Sequence, residues 1–338
     1  MNRFALWAMG AGLVLFVGLV VYQGAGDIAS AVAGAGWGLA WVTVYQFIPM
    51  LAEGLGWRCL LPVSHRPPLR TVVWARWIGQ SINNLLPVAR VGGEWVRAGL
   101  LARRGRVPGP IAGASVVVDM TATVLTQALF SLLGIGLLVL RIGGGRIALA
   151  LVLETVMLGV LVGGFWMVQR RGLFGTLARR LEKVVGGQTL LTLVGGADAL
   201  DTAISNVYRN RRAVSLSIVW CLTAWVLGTG EVWLALSFLG HPVSLTDAVI
   251  LESLSQAVRA ASFAIPGALG TQEGGLLVLG GLLSLPPDIA LGLSIIKRVR
   301  ELALGVPGIV AWQGAQTSSS LLRTAPAGHA PDPPQPEP

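Results

Sequence analysis

Apolar residues run along this chain in long, nearly unbroken stretches, with no alternation of the kind a half-buried strand shows. Six stretches are candidate membrane spans: 4–22, 37–57, 110–140, 146–168, 213–239 and 287–313. Each matches or exceeds the roughly 20 residues that carry a helix across about 30 Å of hydrocarbon. The first follows Arg3 as a signal peptide would, but it continues to Tyr22 without a small-x-small cleavage pattern and is read as a span. Two polar interruptions stand out: "NNLLPVARVGGEWVRAGLL" at 83–101 and "SFAIPGALGTQEGGLLVLGGLLSLPPD" at 262–288. Each holds a proline, a glycine-rich break and a glutamate. Pro87 precedes Glu94 by seven residues, and Pro266 precedes Glu273 by seven. Pro108 and Pro286 then open a further apolar run in each half.

Composition agrees with the pattern. Hydrophobic residues make up 54% and charged residues 12% of the chain, and the mean hydropathy is +0.70. Soluble domains carry about 25% charged residues, so the sequence reads as an integral membrane protein. The net charge of +9 is therefore assigned to membrane orientation, not to nucleic acid. With the N-terminus in the cytoplasm, eighteen Lys and Arg fall inside and only Arg141 and Arg146 outside. The inside set counts Arg58, Arg66, Arg70 and Arg76 before the first interruption, and Arg97, Arg103, Arg104 and Arg106 after its proline. Cys59 and Cys221 lie in different apolar segments, and His65, His241 and His329 are scattered. No metal-ligand spacing, phosphate loop or disulfide framework is present, so neither a cofactor nor a metal is expected.

The basic flanks on both sides of 77–106 favour the same membrane face, which favours a re-entrant hairpin over the alternative for both interruptions, an ordinary kinked helix with Gly/Pro packing. Irregular backbone at membrane depth survives where it is buried in protein or lines a watery cavity. Three spans separate the two interruptions, so the second enters from the opposite face. The expected fold is all-α: a polytopic membrane protein of about six to eight transmembrane helices with two re-entrant hairpins in an inverted repeat. Repeat one covers about 1–140 and repeat two about 146–313 of a membrane domain spanning 1–315. "GGLLVLGGLL" within 274–285 is apolar enough to cross the bilayer, which would change the span count. Residues 170–212 carry excess basic charge and read as amphipathic helices on the anionic cytoplasmic leaflet, or equally as a solvated loop. From Thr317 the chain turns to Ser, Pro and Ala, and 316–338 reads as a disordered tail.

Ionisable groups at membrane depth are costly, so each needs a reason. Glu94 and Arg97, three apart, share a helical face and can pair. Asp119 in "ASVVVDMTATV" and Arg298 in "IIKRVREL" sit at similar depths of two different spans, which allows an Asp119–Arg298 pair or a local Arg298–Glu301 pair. Arg259 and Glu273 flank the second break and are candidate partners. Glu53, Glu154 and Glu231 also fall in candidate spans without an evident partner. Half-helices starting near Gly93 and Thr271 present free N–H groups suited to a lipid phosphate, with Glu94 and Glu273 competing for the same positive ends. Two schemes remain open: arginines hold a phosphate while the glutamates carry protons or bind a cationic headgroup, or the glutamates cap the half-helices. The candidate substrate-binding set is Asn83, Asn84, Pro87, Gly92, Gly93, Glu94, Arg97, Asp119, Arg259, Pro266, Gly267, Gly270, Glu273 and Arg298. No catalytic residue is assigned.

In "PVARVGGEWVR", "PGALGTQE" and Arg298, the chain resembles the transmembrane region of lysylphosphatidylglycerol synthase and its stand-alone relatives, a flippase-like family. "QSINNLLPVARVGGEWVRAGLL" and "ASVVVDMTATVLTQ" look most like its hopanoid-biosynthesis-associated subgroup. The resemblance covers 1–315 and implies movement of a lipid between leaflets in a bacterial inner membrane, with phospholipid or hopanoid as cargo. It also implies a departure: the synthase carries a soluble aminoacyl-transferase domain after its membrane part, so lysyl transfer is not expected here. A second departure is Ala268, where relatives often carry a second glycine after the proline. Two other functions compete with a lipid transporter. One is an intramembrane enzyme acting on a polyprenyl or hopanoid lipid through Glu94, Asp119 or Glu273. The other is a scaffold that recruits lipid-synthesis enzymes through 170–212 and the tail.

Overall fold

The computed structural model describes residues 33–34, 36–86, 92–143, 163–164, 167, 196–262, 265 and 268–323. The candidate span 4–22, most of 146–168 with Glu154, and Pro87, Pro266 and Gly267 lie outside these residues.

The described residues form helices and no strands. In chain order they are α1 (Gly38–Tyr45), α2 (Phe47–Cys59), a short 3₁₀ turn (Val63–His65), α3 (Leu69–Leu85), α4 (Gly92–Arg104) and α5 (Gly109–Ile142). Then follow α6 (Ala197–Arg209), α7 (Arg211–Phe238), α8 (Leu245–Ala261), α9 (Thr271–Leu282) and α10 (Pro287–Arg323). Local chemistry sets many boundaries. Pro68 and Pro108 precede α3 and α5, because proline fixes φ where the first helical N–H groups lack partners. The Asn210 side chain accepts the Ala213 N–H (3.1 Å) at the start of α7, and the Ser244 hydroxyl accepts the Asp247 N–H (3.1 Å) at the start of α8. Gly143, at φ +82°, closes α5 in a conformation that favours glycine.

Helices α5 and α7 are long and apolar enough to cross a bilayer by themselves. The expected span 37–57 is two helices, α1 and α2, that meet at Gln46. The expected span 287–313 lies inside α10, whose middle carries Lys297, Arg298, Arg300 and Glu301; the helix runs on past Thr317 to Arg323. Around the two interruptions the helices are shorter. Helices α4 and α9 have 13 and 12 residues, about 18–20 Å at 1.5 Å per residue. That falls short of about 30 Å of hydrocarbon, so α9, which holds most of 274–285, does not cross on its own.

Two apolar cores hold the bundle. One gathers Trp57, Ile78, Leu101, Val118 and Leu200 from α2–α6. The other gathers Val42, Leu236, Leu251, Leu276 and Ile296 from α1 and α7–α10, together with Leu138 of α5. They interlock: α7 packs on α2, α10 on α3, and α8 on α5. Helix α6 buries Leu200, Ile204 and Val207 at i, i+4 and i+7 in the first core and packs on α5. Its apolar face is thus covered by protein, neither laid on a lipid leaflet nor part of a solvated loop, the two alternatives for 170–212, of which 170–195 lie outside the described residues.

The exterior is oily and the interior charged. Trp41, Leu129, Val219 and Val310 point outward, while Arg76, Arg97, Asp119, Glu231, Glu252, Glu273 and Lys297 are buried. Water would favour the reverse, whereas a hydrocarbon surround favours this arrangement. Two of these charges correct the orientation count. Arg76 and Arg97 read as cytoplasmic flanking charges in the sequence, yet each is only 3% exposed, because α3 and α4 carry them into the bundle.

Among the described residues, glycine sets the closest approach of one helix backbone to another between α3 and α4. A Cβ on Gly93 would lie 2.1 Å from the Gly79 carbonyl oxygen, and a Cβ on Gly79 would lie 2.4 Å from Arg97 Cγ. Backbone cannot yield as a flexible side chain can. Gly93→Ala is therefore expected to lower stability by about 1–3 kcal/mol, the usual range for overpacking. Gly99→Ala, with no atom within 4 Å of its added Cβ, serves as the control. Thermal unfolding of the detergent-purified variants checks this; equal midpoints would contradict the α3–α4 contact.

Candidate functional site

Helices α3 and α8 each have 17 residues and carry polar side chains at the same places. On α3, Arg76, Gln80 and Asn83 recur at i, i+4 and i+7; on α8, Glu252, Gln256 and Arg259 do the same. That spacing puts three polar groups on one face of each helix. Both faces look into a cavity of about 350 Å³ lined by α2, α3, α4, α5, α7, α8 and α10. Its charged lining comprises Glu53, Glu94, Asp119, Glu231, Glu252 and Glu301 against Arg76, Arg97, Arg259 and Arg300.

On the α3 side, Asp119 of α5 is the centre. Its Oδ2 accepts from Arg76 (2.8 Å) and Arg97 (2.5 Å). Arg76 also donates to Glu53 (2.7 Å), whose carboxylate accepts from Gln80 (2.7 Å) as well. Arg97 also donates to Glu94 (2.6 Å), and its guanidinium lies over the Trp57 ring, 4.3 Å from the centroid. Asn83 ties the hairpin together: its Nδ2 donates to Glu94 (3.2 Å), and its Oδ1 accepts the Gly93 N–H (2.8 Å). The first N–H groups of α4 are thus partly closed by α3, and Glu94 holds an arginine there.

On the α8 side, Glu252 accepts from Lys297 of α10 (2.6 Å) and from Gln256 (2.8 Å). Arg259 pairs with Glu301, and it also donates to Asn84 of α3 (3.1 Å), which joins the two halves. Arg300 pairs with Glu231 (2.5 Å) and donates to Gln46 (2.7 Å). Behind the cavity wall, Glu273 accepts from Arg298 and Ser294, both at 3.1 Å. Arg298 further reaches Glu301 (3.2 Å) and the carbonyl of Ala268 (3.2 Å). Ala268 holds φ +49°, a left-handed conformation that glycine takes without cost, and Gly270 follows at φ +76° before α9.

The Arg76–Asp119 and Lys297–Glu252 pairs occupy equivalent places with their signs exchanged. Arg76 and Glu252 are the eighth residues of α3 and α8, and Asp119 and Lys297 are the eleventh of α5 and α10. Glu94 and Glu273 are likewise the third residues of α4 and α9.

Among the sequence-predicted residues, Asn83, Asn84, Glu94, Arg97, Asp119 and Arg259 line the cavity. Glu273 and Arg298 form a layer behind it with Gly270 nearby, and Gly92 and Gly93 open α4 beside Asn83. The local pairs Glu94–Arg97 and Arg298–Glu301 form as their i, i+3 spacing predicts. The long-range pairs differ. Asp119 takes Arg76 and Arg97, not Arg298, and Arg259 takes Glu301, not Glu273. Glu53 and Glu231 gain Arg76 and Arg300 as partners. Arg76, Gln80, Glu252 and Gln256 were missed; the matching i, i+4, i+7 polar stripes were the signal that could have found them.

The arginines of this network are engaged by carboxylates, while several buried carboxylate oxygens have no partner among the described residues: Asp119 Oδ1, Glu231 Oε1 and Glu273 Oε2. In the lining six carboxylates meet four arginines, and Lys297 and Arg298 behind the wall pair with Glu252 and Glu301. No His/Cys/Asp/Glu group suited to a metal ion is found among the described residues.

A family model described as the lysylphosphatidylglycerol synthase TM region matches residues 9–308. A relative, the UPF0104 membrane protein of Methanothermobacter thermautotrophicus, is 23% identical over 334 residues, covering 92% of this chain and 96% of its own. No solved structure matches the chain.

Breaking one of these buried pairs strands a charge, at a cost of about 3–5 kcal/mol, whereas removing both members relieves it. Glu252→Gln is therefore expected to destabilise strongly, and Glu252→Gln with Lys297→Met to recover most of the loss. Thermal unfolding in detergent checks this. A double variant no better than the single one would show that Lys297 does not depend on Glu252.

Proposed function

Since the chain belongs to the lysylphosphatidylglycerol synthase transmembrane-region family of membrane proteins, we propose that it moves or handles a membrane lipid, admitting the polar headgroup to the central cavity. One observation carries this reading: a charged cavity of about 350 Å³ at the centre of a bundle whose outer faces are apolar. Ligand pockets run from about 300 to 1,000 Å³, so this one has room for a headgroup but not for acyl chains. An intramembrane enzyme would need a carboxylate free to exchange protons with a reacting group. The cavity carboxylates are held by arginines, lysine and amides instead, which favours binding and passage over acid–base chemistry.

We further propose that α3–α4 and α8–α9 are the two re-entrant hairpins of an inverted repeat. Their support is the half-length α4 and α9, and the register match of Arg76–Asp119 with Glu252–Lys297. Such repeats place the substrate between them near the midplane. The N-terminus lies on the cytoplasmic side of a bacterial inner membrane in this reading, supported by the basic bias of the flanks. The cargo is a phospholipid or a hopanoid-class lipid, the latter on the subgroup resemblance of "QSINNLLPVARVGGEWVRAGLL".

Fluorescent-lipid translocation in reconstituted vesicles tests the proposal. Thr123 and Gly228 line the cavity outside the ion pairs, so a tryptophan there fills space without stranding a charge. Thr123→Trp is expected to reduce translocation to the level of protein-free vesicles while the variant still unfolds cooperatively. Wild-type rates with the cavity filled would refute passage through it.

A further inference from the structure

A headgroup cavity of this size leaves the acyl chains outside, and the bundle has a groove for one of them. Between α2 and α3 lies a half-open apolar groove of about 410 Å³. One wall is Phe47, Met50 and Leu51 of α2; the other is Val73, Trp74 and Trp77 of α3. Leu69 and Arg70 close the end near the 60–68 turn. Leu69, Val73, Trp77 and, one step round, Arg70 and Trp74 recur at helical spacing, so the groove follows one face of α3 for about 12 Å.

Two features separate this groove from the other oily surfaces. Arg70 stands in the groove wall at one end, and the guanidinium of Arg104 of α4 lies over the Trp74 ring, 4.6 Å from its centroid. Both are exposed, and neither forms an ion pair among the described residues, in contrast to the carboxylate-bound arginines of the cavity. At the other end the groove meets the charged cavity, because Met50 and Trp77 line both. Trp77 is held as a partition: its indole N–H donates to the Leu304 carbonyl (2.9 Å) of α10. An apolar slot with one exposed guanidinium in its wall and a second over one of its rings fits a phosphate ester carrying a hydrocarbon chain.

We propose that the α2–α3 groove seats one acyl chain of a membrane phospholipid, with its phosphate between Arg70 and Arg104, as the lateral entry to the cavity. This rests on the lipid-handling reading above and adds a route to it. The seated chain extends to the Met50–Trp77 partition, so the lipid rests beside the cavity with its headgroup still at the arginines, before it enters.

Photolabelling tests it. The full chain is reconstituted in vesicles containing a phospholipid with a diazirine on one acyl chain, irradiated, digested and mapped by mass spectrometry. Adducts are expected to concentrate on Leu51, Val73 and Trp74 over the outward-facing Leu129, Val219 and Val310. Arg70→Ala with Arg104→Ala is expected to erase that excess without changing the thermal midpoint. Equal labelling of groove and outer faces overturns the proposal, whether lipid has no preferred place there or a second copy of the chain covers the groove. Labelling that survives loss of both arginines overturns the phosphate seat. Translocation assays on the same vesicles separate the two readings. Groove labelling without translocation sinks the transport function and leaves the lipid site; translocation without groove labelling sinks only the groove.

Discussion

Charge inside hydrocarbon must be neutralised by charge. An isolated ion in a low-dielectric interior costs several kcal/mol even after relaxation, and only a close counter-ion with good hydrogen bonds offsets it. This protein buries Arg76, Arg97, Asp119, Glu231, Glu252, Glu273 and Lys297, so its helices are constrained to bring each to a partner. Arg76 links α2, α3 and α5 by reaching Glu53 and Asp119; Glu252 and Lys297 link α8 to α10; Arg300 and Glu231 link α10 to α7. The ion pairs thus set which helix stands beside which. The apolar cores, whose contacts are less directional, fill in around them.

The same constraint shapes the cavity. A space lined by ten ionisable side chains holds together because four arginines lie among six carboxylates. Lys297 and Arg298, just behind the wall, complete the balance by pairing with Glu252 and Glu301. Along the α2–α3 groove, by contrast, Arg70 and Arg104 form no ion pair among the described residues.

Much of the helical layout was legible because hydrocarbon imposes length. Runs of about 20 apolar residues mark α5 and α7, and the prolines and glycines of the two interruptions mark the short helices α4 and α9. Local pairs were legible too, since Glu94–Arg97 and Arg298–Glu301 follow from i, i+3 geometry on one helix. Arg76 misled, because an arginine among basic loop residues has the same one-letter context whether it flanks a membrane or is drawn into a bundle. Its agreement with Gln80 and Asn83, matched by Glu252, Gln256 and Arg259, is a periodic signal that net charge counting hides.

What the sequence determined by itself was the medium, the helical class and the residues that had to be reconciled with burial: each follows from short-range periodicity and composition. Only the tertiary structure decided who reconciles whom. Asp119 and Arg298 sit at like depths of two helices and were plausible partners along the chain. Yet α3 and α4 stand beside α5, so Asp119 meets Arg76 and Arg97 while Arg298 turns to Glu273 and Glu301. Helical periodicity gives the face a side chain occupies, but the neighbour across that face depends on the packing of the whole bundle.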